Sequence, residues 1–154
     1  MADLIIKASD VTEPEVIALL TEHHQNMRAI SPPDACFALD LDGLRTPSIH
    51  MLAAWKGEAL AGIGALKIYD ADLAEVKSMR TSAAARRTGA GRAILDALIE
   101  LAKEKGLTRL ALETGTTDAF APSRTLYGSL GFTPCGPFAD YAEHPHSLFM
   151  ERGV

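Results

Sequence analysis

The sequence predicts a single α+β, or mixed α/β, domain, and three observations carry that expectation. Apolar residues alternate along the chain between strand-like runs and helical spacing, in the order βα(loop)βββαβαββ. A strand-to-helix crossover spans residues 74–106 and leads into another strand, which implies some parallel pairing. The length of 154 residues, with 47% apolar and 23% charged residues, suits one soluble domain with an ordinary core. No repeat, low-complexity tract or linker divides residues 1–154.

The elements follow in chain order. "LIIK" reads as the first strand. "TEPEVIALLTEHHQNMRAI" reads as a helix, with Thr12 as N-cap, Glu15 completing a capping box and Pro14 in the first turn. Val16, Leu20, Met27 and Ile30 fall on one face of it. "SPPDACFALDLDGLRTPS" is broken by Pro32, Pro33, Gly43 and Pro47 and reads as a long loop, of the kind that often carries function. "HMLAAWKGEALAGIGALKIYD" reads as two strands joined at Lys56-Gly57-Glu58. "AEVKSMRT" is a further strand whose alternation is irregular, so one face has a task besides core packing. Ala93, Ile94, Ala97, Leu98, Leu101 and Ala102 then repeat at helical spacing, and Gly106 stops the helix. "RLALE" is a buried strand, "APSRTLYGSLG" a short helix opened by Pro122 and closed by Gly131, and "GFTPCG" and "SLFME" are late strands.

Composition narrows the function. A net charge of −5 argues against general nucleic-acid binding. No apolar run approaches the roughly 18 residues of a membrane span, and "MADLIIKASD" is no signal peptide. The cysteines, Cys36 and Cys135, lie far apart without metal-type spacing, as in a reduced cytoplasmic setting.

Against that acidic background "ARRTGAGRA" is conspicuous. A helix N-terminus leaves about four N–H groups unpartnered and carries roughly half a positive charge. Gly89 and Gly91 allow an anion to approach the backbone, and Arg86, Arg87 and Arg92 add charge. On the glycines alone, a plain basic turn is an equal reading. The ATP loop GxxxxGK[ST] is absent, and GxGxxG fails at Ile94. Gly62-Ile63-Gly64 lies within an apolar strand and reads as packing or a bulge.

Arg86-Arg87-Thr88-Gly89-Ala90-Gly91 matches the R/Q-x-x-G-x-G/A signature of the GNAT superfamily of N-acetyltransferases. The surrounding Glu75–Gly115 segment resembles that family's core strand, pyrophosphate turn, helix and following strand, and "LYGSLGF" resembles its L-Y-x-x-x-G-F. "EVKSMRT", "LETG", "FAP" and "CGPFADY" resemble its small bacterial, single-domain branch. The resemblance implies a splayed, mostly antiparallel seven-stranded sheet with helices on both faces, binding acetyl-CoA as acetyl donor without metal. It implies that the turn residues Arg86, Arg87, Thr88, Gly89, Ala90, Gly91 and Arg92 hold the pyrophosphate. Met79, Arg80 and Thr81 would pair with the pantetheine arm. A homodimer is compatible with it, since dimers are common in that family.

Amine acetylation needs a neutral amine and a proton for the departing thiolate. Tyr127 occupies the family's tyrosine and is the expected acid. Glu75, eleven residues before Arg86, has the spacing of the glutamate base in histone-type relatives, and Glu113 is a second candidate. Two positions depart from the pattern: Phe120 stands where many relatives carry asparagine, and Ala83 replaces a proline. Ser31, Asp40, Asp42, Asp140 and Tyr141 are candidates for the acceptor pocket. His23, His24, His144 and His146 read as packed, surface or loop residues, and Cys135 lacks the basic partner a nucleophile needs. The expected function is acetyl transfer to the amine of a small or amino-acid-like molecule by direct attack in a ternary complex. The alternatives are a catalytically silent CoA-binding module and a protein-lysine acetyltransferase.

Overall fold

The computed structural model describes residues 4–31, 41–86 and 88–154. Its strands are β1 (Ile5–Ser9), β2 (Ile49–Lys56), β3 (Ala59–Ile68), β4 (Leu73–Thr81), β5 (Arg109–Gly115), β6 (Thr133–Cys135) and β7 (Ser147–Gly153). Its helices are α1 (Pro14–Ile30), α2 (Leu41–Leu44), α3 (Ala90–Glu104) and α4 (Ala121–Ser129). The strands form one seven-stranded sheet in the order β1-β2-β3-β4-β5-β7-β6. Every pair is antiparallel except β4–β5, the parallel pair that the crossover through α3 requires.

Helices cover both faces of the sheet. On one face Ile94, Leu95 and Leu98 of α3 are fully buried against Ala54, Leu66, Ala74, Val76, Leu110 and Leu112. Burial of each such large side chain contributes roughly 1.5–3 kcal/mol. On the other face Val16, Leu19 and Leu20 of α1 meet Met51, Ala53, Ile63 and Ala65. Further along that second face, Ala111 lies under Phe138 and Phe149, with Tyr69 and Tyr141 at the margin.

The glycine pair in β3 is structural. A methyl group at Gly62 or Gly64 would lie 2.8 or 2.6 Å from the Ile94 side chain, so both positions let α3 approach the sheet. The start of α1 differs from expectation. Glu13, not Thr12, is the N-cap, without a side-chain cap bond. Asp10 instead holds Thr12 by accepting hydrogen bonds from its N–H (3.1 Å) and its hydroxyl (2.5 Å), which keeps Thr12 in the preceding turn. Pro14 then takes the first helical position, where its missing N–H costs nothing. Among the described residues, no helix is long and apolar enough to cross a membrane.

Candidate active site

The parallel β4–β5 pair is short. Its register runs from Leu73 opposite Arg109 to Glu75 opposite Ala111 and then ends. Beyond that point β4 pairs only with β3, and β5 only with β7. The sheet therefore opens into a V with Glu75 at its apex. A bulge in β4 accompanies the opening: the single Gly64 of β3 faces both Ser78 and Met79, and Ser78 takes φ +56°. The extra residue bends and twists the strand, which also explains its irregular alternation. A cavity of about 780 Å³ fills the V.

One end of the cavity is built from backbone. After β4 the chain makes a 3-10 turn (Ala83–Ala85) and reaches Gly89, whose φ of +88° favours glycine. Helix α3 starts there with no side-chain cap, so its first N–H groups face the cavity mouth uncapped. Gly91 nestles between neighbours: a Cβ there would lie 3.4 Å from Leu126 and 3.6 Å from Thr81. Arg86 and Arg92 line the same end, and Arg92 also reaches the Ser129 hydroxyl at 3.3 Å. An uncapped helix start, a left-handed glycine and two cations fit a multiply charged anion. The open edge of β4 from Met79 to Thr81 runs beside it along the cavity wall. Of the other turn residues, Thr88 donates its hydroxyl to the Ala85 carbonyl, and Ala90 is buried in the core. Arg87 lies outside the described residues, as do Cys36 and Asp40.

The other end is built from side chains. Tyr127 on α4 is 8% exposed, stacks edge-on against Phe132 and lines the cavity. Among the described residues its hydroxyl has no protein hydrogen-bond partner. Burial, and then the nearby Glu113 carboxylate, push its pKa above the usual tyrosine range, so it carries its proton. Phe120 also lines the cavity and lies flat on Gly115, where any Cβ would approach its ring to 2.1 Å.

Glu75 is 1% exposed and heavily engaged. Its Oε1 accepts from the Tyr69 hydroxyl at 2.5 Å. Its Oε2 accepts from the Tyr141 hydroxyl at 2.6 Å and from Lys77 Nζ at 3.2 Å. Lys77 also donates to the Tyr141 oxygen at 3.0 Å, which closes the network. Desolvation first holds Tyr69 above its ordinary pKa; beside Tyr141 the Glu75 charge adds to the same effect. Tyr69 and Lys77 were invisible to motif reasoning: the only signal is a tyrosine six residues and a lysine two residues from Glu75.

Glu113, on β5 just past the last β4–β5 pair, is half-buried and lines the cavity. Loss of solvation pushes its pKa up to about 7, and the Ser147 hydroxyl beside it pulls back part of that rise. Helix α1 closes this side. Arg80 donates to Glu22 at 2.7 Å and Asn26 at 3.0 Å, and the buried His23 is held neutral by desolvation, then by Arg80, with a pKa of about 4.

The remaining candidates divide. Ser31 and His146 line the cavity. Asp42 is exposed and paired with Arg45, outside the lining, and Asp140 is exposed. Burial raises the Cys135 thiol pKa, the opposite of nucleophile activation. His144 and His146 stack on each other at 5.5 Å. Among the described residues, no group of three or more His, Cys, Asp or Glu could hold a metal ion.

Comparison with known proteins places this architecture. Residues 14–132 match the model of the acetyltransferase (GNAT) family. The chain is 48% identical over 147 residues to an uncharacterised N-acetyltransferase of Bacillus subtilis, YsnE, covering 96% of this chain and 97% of the relative. It is 33% identical to an IAA acetyltransferase of Azospirillum brasilense, with 99% of each covered. A putative acyl-CoA N-acyltransferase from Klebsiella pneumoniae superposes with a TM-score of 0.77 at 25% identity, covering 99% of both chains. The PaiA N-acetyltransferase of Thermoplasma acidophilum, solved with coenzyme A, superposes equally well, at 0.77 and 16% identity over 99% of both, and shares the fold. With a splayed seven-stranded sheet, a family match over most of its length and near full-length N-acetyltransferase relatives, the chain belongs to the GNAT family of N-acetyltransferases and is an acyltransferase.

Proposed function

We propose that the protein transfers the acetyl group of acetyl-CoA to the primary amine of a small molecule, by direct attack within a ternary complex. The observation that carries this reading is the V-shaped gap between β4 and β5, with an anion cradle at one end and Tyr127 inside it. The uncapped N–H groups of α3, with Arg86 and Arg92 beside them, receive the pyrophosphate. The unpaired edge of β4 around Met79, Arg80 and Thr81 accepts the pantetheine arm as an added strand-like partner. This orients the thioester into the gap. Acetyl-CoA supplies the acyl group; the chain supplies position and protons.

Tyr127 donates a proton to the sulfur as the C–S bond breaks. Its hydroxyl has no protein partner among the described residues, and burial keeps its proton in place for the departing thiolate. The acceptor approaches from the opposite face, between α1 and the Phe138–Tyr141 turn, where Glu75, Lys77 and Glu113 all lie. Glu75, with its oxygens committed to Tyr69, Tyr141 and Lys77, serves as a fixed anion that positions Lys77 on the cavity wall.

The test is a coupled thiol-release assay with acetyl-CoA and a panel of primary amines: amino acids, polyamines, arylalkylamines and aminosugars. Amine-dependent thiol release supports the reading. Tight acetyl-CoA binding with no release across the panel makes the chain a CoA-binding module instead.

A further inference from the structure

We propose that Glu113, rather than Glu75, is the catalytic residue that takes the proton of the acceptor amine. This rests on the transferase reading above and assigns a role within the same site.

The two carboxylates share one face of the sheet, because Glu75 pairs with Ala111 and Glu113 follows two residues along β5. Their surroundings differ. Glu75 sits at the closed apex, 1% exposed, accepting from the Tyr69, Tyr141 and Lys77 donors. A proton added there would have to displace a tyrosine donor and would leave the Lys77 charge, whose side chain is 9% exposed, without its partner. Glu113 sits one step into the open part of the V. It lines the cavity and forms no ion pair among the described residues. It is also close enough to Tyr127 for its charge to raise that residue's pKa. Base and acid thus line the same cavity, at the open part of the V.

The electrostatics agree with this placement. From β4, Glu75 raises the proton affinity of Glu113 and Lys77 lowers it; His144 and Ser147, from the segment entering β7 and from β7 itself, also lower it. Tyr127 faces it from α4, and the Glu113 charge raises the pKa of Tyr127 and, after burial and Glu75, that of Tyr141. Desolvation outweighs the lowering contributions and leaves the carboxyl near neutrality, where a general base works best.

The proton balance closes. The Glu113 carboxylate takes one proton from the ammonium form of the acceptor, which frees the nitrogen lone pair. The C–N bond forms as the C–S bond breaks. Tyr127 gives its proton to the departing sulfur and recovers one from the acylated nitrogen. Glu113 then releases its proton to solvent, so ammonium and acetyl-CoA become amide, CoA thiol and one free proton.

The experiment compares Glu113→Gln, Glu113→Asp and Glu75→Gln. Protein carrying glutamate labelled with carbon-13 at the side-chain carboxyl is titrated by NMR without any acceptor, the Glu113 signal being the one lost in Glu113→Gln. It should titrate near neutrality; titration in the ordinary carboxylate range overturns the proposal. With the amine selected by the panel, Glu113→Gln should lower kcat by roughly 10²–10⁴-fold and erase the acidic limb of the rate profile. Glu113→Asp should keep a limb, and Glu75→Gln should keep it near neutrality. A wild-type profile in Glu113→Gln, or loss of the limb in Glu75→Gln alone, overturns the assignment. Acetyl-CoA affinity, measured by calorimetry, should be unchanged in all three variants. Failure of the unaltered protein to bind acetyl-CoA would sink the transferase reading itself.

Discussion

The two ends of the β4–β5 gap are made of different material. The α3 end is mainly backbone: an uncapped helix start after a left-handed glycine, and an open strand edge, with Arg86 and Arg92 beside them. The chemical end is side chains drawn from the turn after β3, from β4, β5 and α4, and from the segment before β7, arranged as a buried network around Glu75 and a freer carboxylate at Glu113. The contrast teaches how differently the two ends depend on their side chains. Backbone donors are indifferent to most substitutions, so the α3 end tolerates variation so long as the glycines stay. The chemical end depends on each side chain in turn.

Substitutions at each end should therefore fail in different ways. The largest effect is expected at the backbone end. Gly89→Asp with Gly91→Asp should weaken acetyl-CoA binding by at least about 100-fold, near 3 kcal/mol, while the fold persists. The side chain at residue 89 is strained at φ +88°, and both carboxylates sit in the cradle. Calorimetry on folded double mutant reads this; unchanged affinity would mean that the cradle is not the pyrophosphate site.

Tyr127→Phe touches the junction of the two ends. It should lower kcat by about 10- to 100-fold while the KM for acetyl-CoA moves little, because a proton donor acts in the transition state. Equal rates would remove Tyr127 as the acid.

Glu75→Gln probes the chemical end through stability. It leaves Lys77 without its charge partner in a buried site, at a cost of about 3 kcal/mol. A domain of this size should lose roughly 6–12 °C in Tm. A Tm within a degree of wild type would mean that the network contributes no stability.

The smallest effect concerns α1. His23 has a folded pKa of about 4 against 6.5 when unfolded. The unfolded chain binds the proton first, so the stability from neutral His23 is present above pH 6.5 and lost as pH falls towards 4. His23→Leu should flatten the fall of Tm across that window by a few degrees. An unchanged slope would assign acid sensitivity to other groups.

Much of this molecule was legible in the chain. The crossover over residues 74–106 predicted the parallel pair, and the alternation fault in "AEVKSMRT" marked the strand that carries the Ser78 bulge. Gly89, Gly91 and their arginines announced the α3 end because that site is one contiguous stretch of sequence. Thr12 misled, since a capping pattern does not say whether Asp10 will claim the threonine first. Glu75 was found but its engagement was not: Tyr69 and Tyr141 lie 6 and 66 residues from it.

The sequence by itself determined the sheet with its helices on both faces and the glycine turn into α3, because hydrophobic period, glycine conformation and helix starts are local properties, and its motifs carried the family resemblance. Only the tertiary structure decided what each carboxylate can do. The β4–β5 pairing stops at Glu75, so the charge at the apex is closed in by two tyrosines and a lysine, while the charge two residues along β5 is left facing the cavity. Desolvation and partner geometry set the proton affinity of a carboxylate, and both are sums over residues that the chain brings together only on folding.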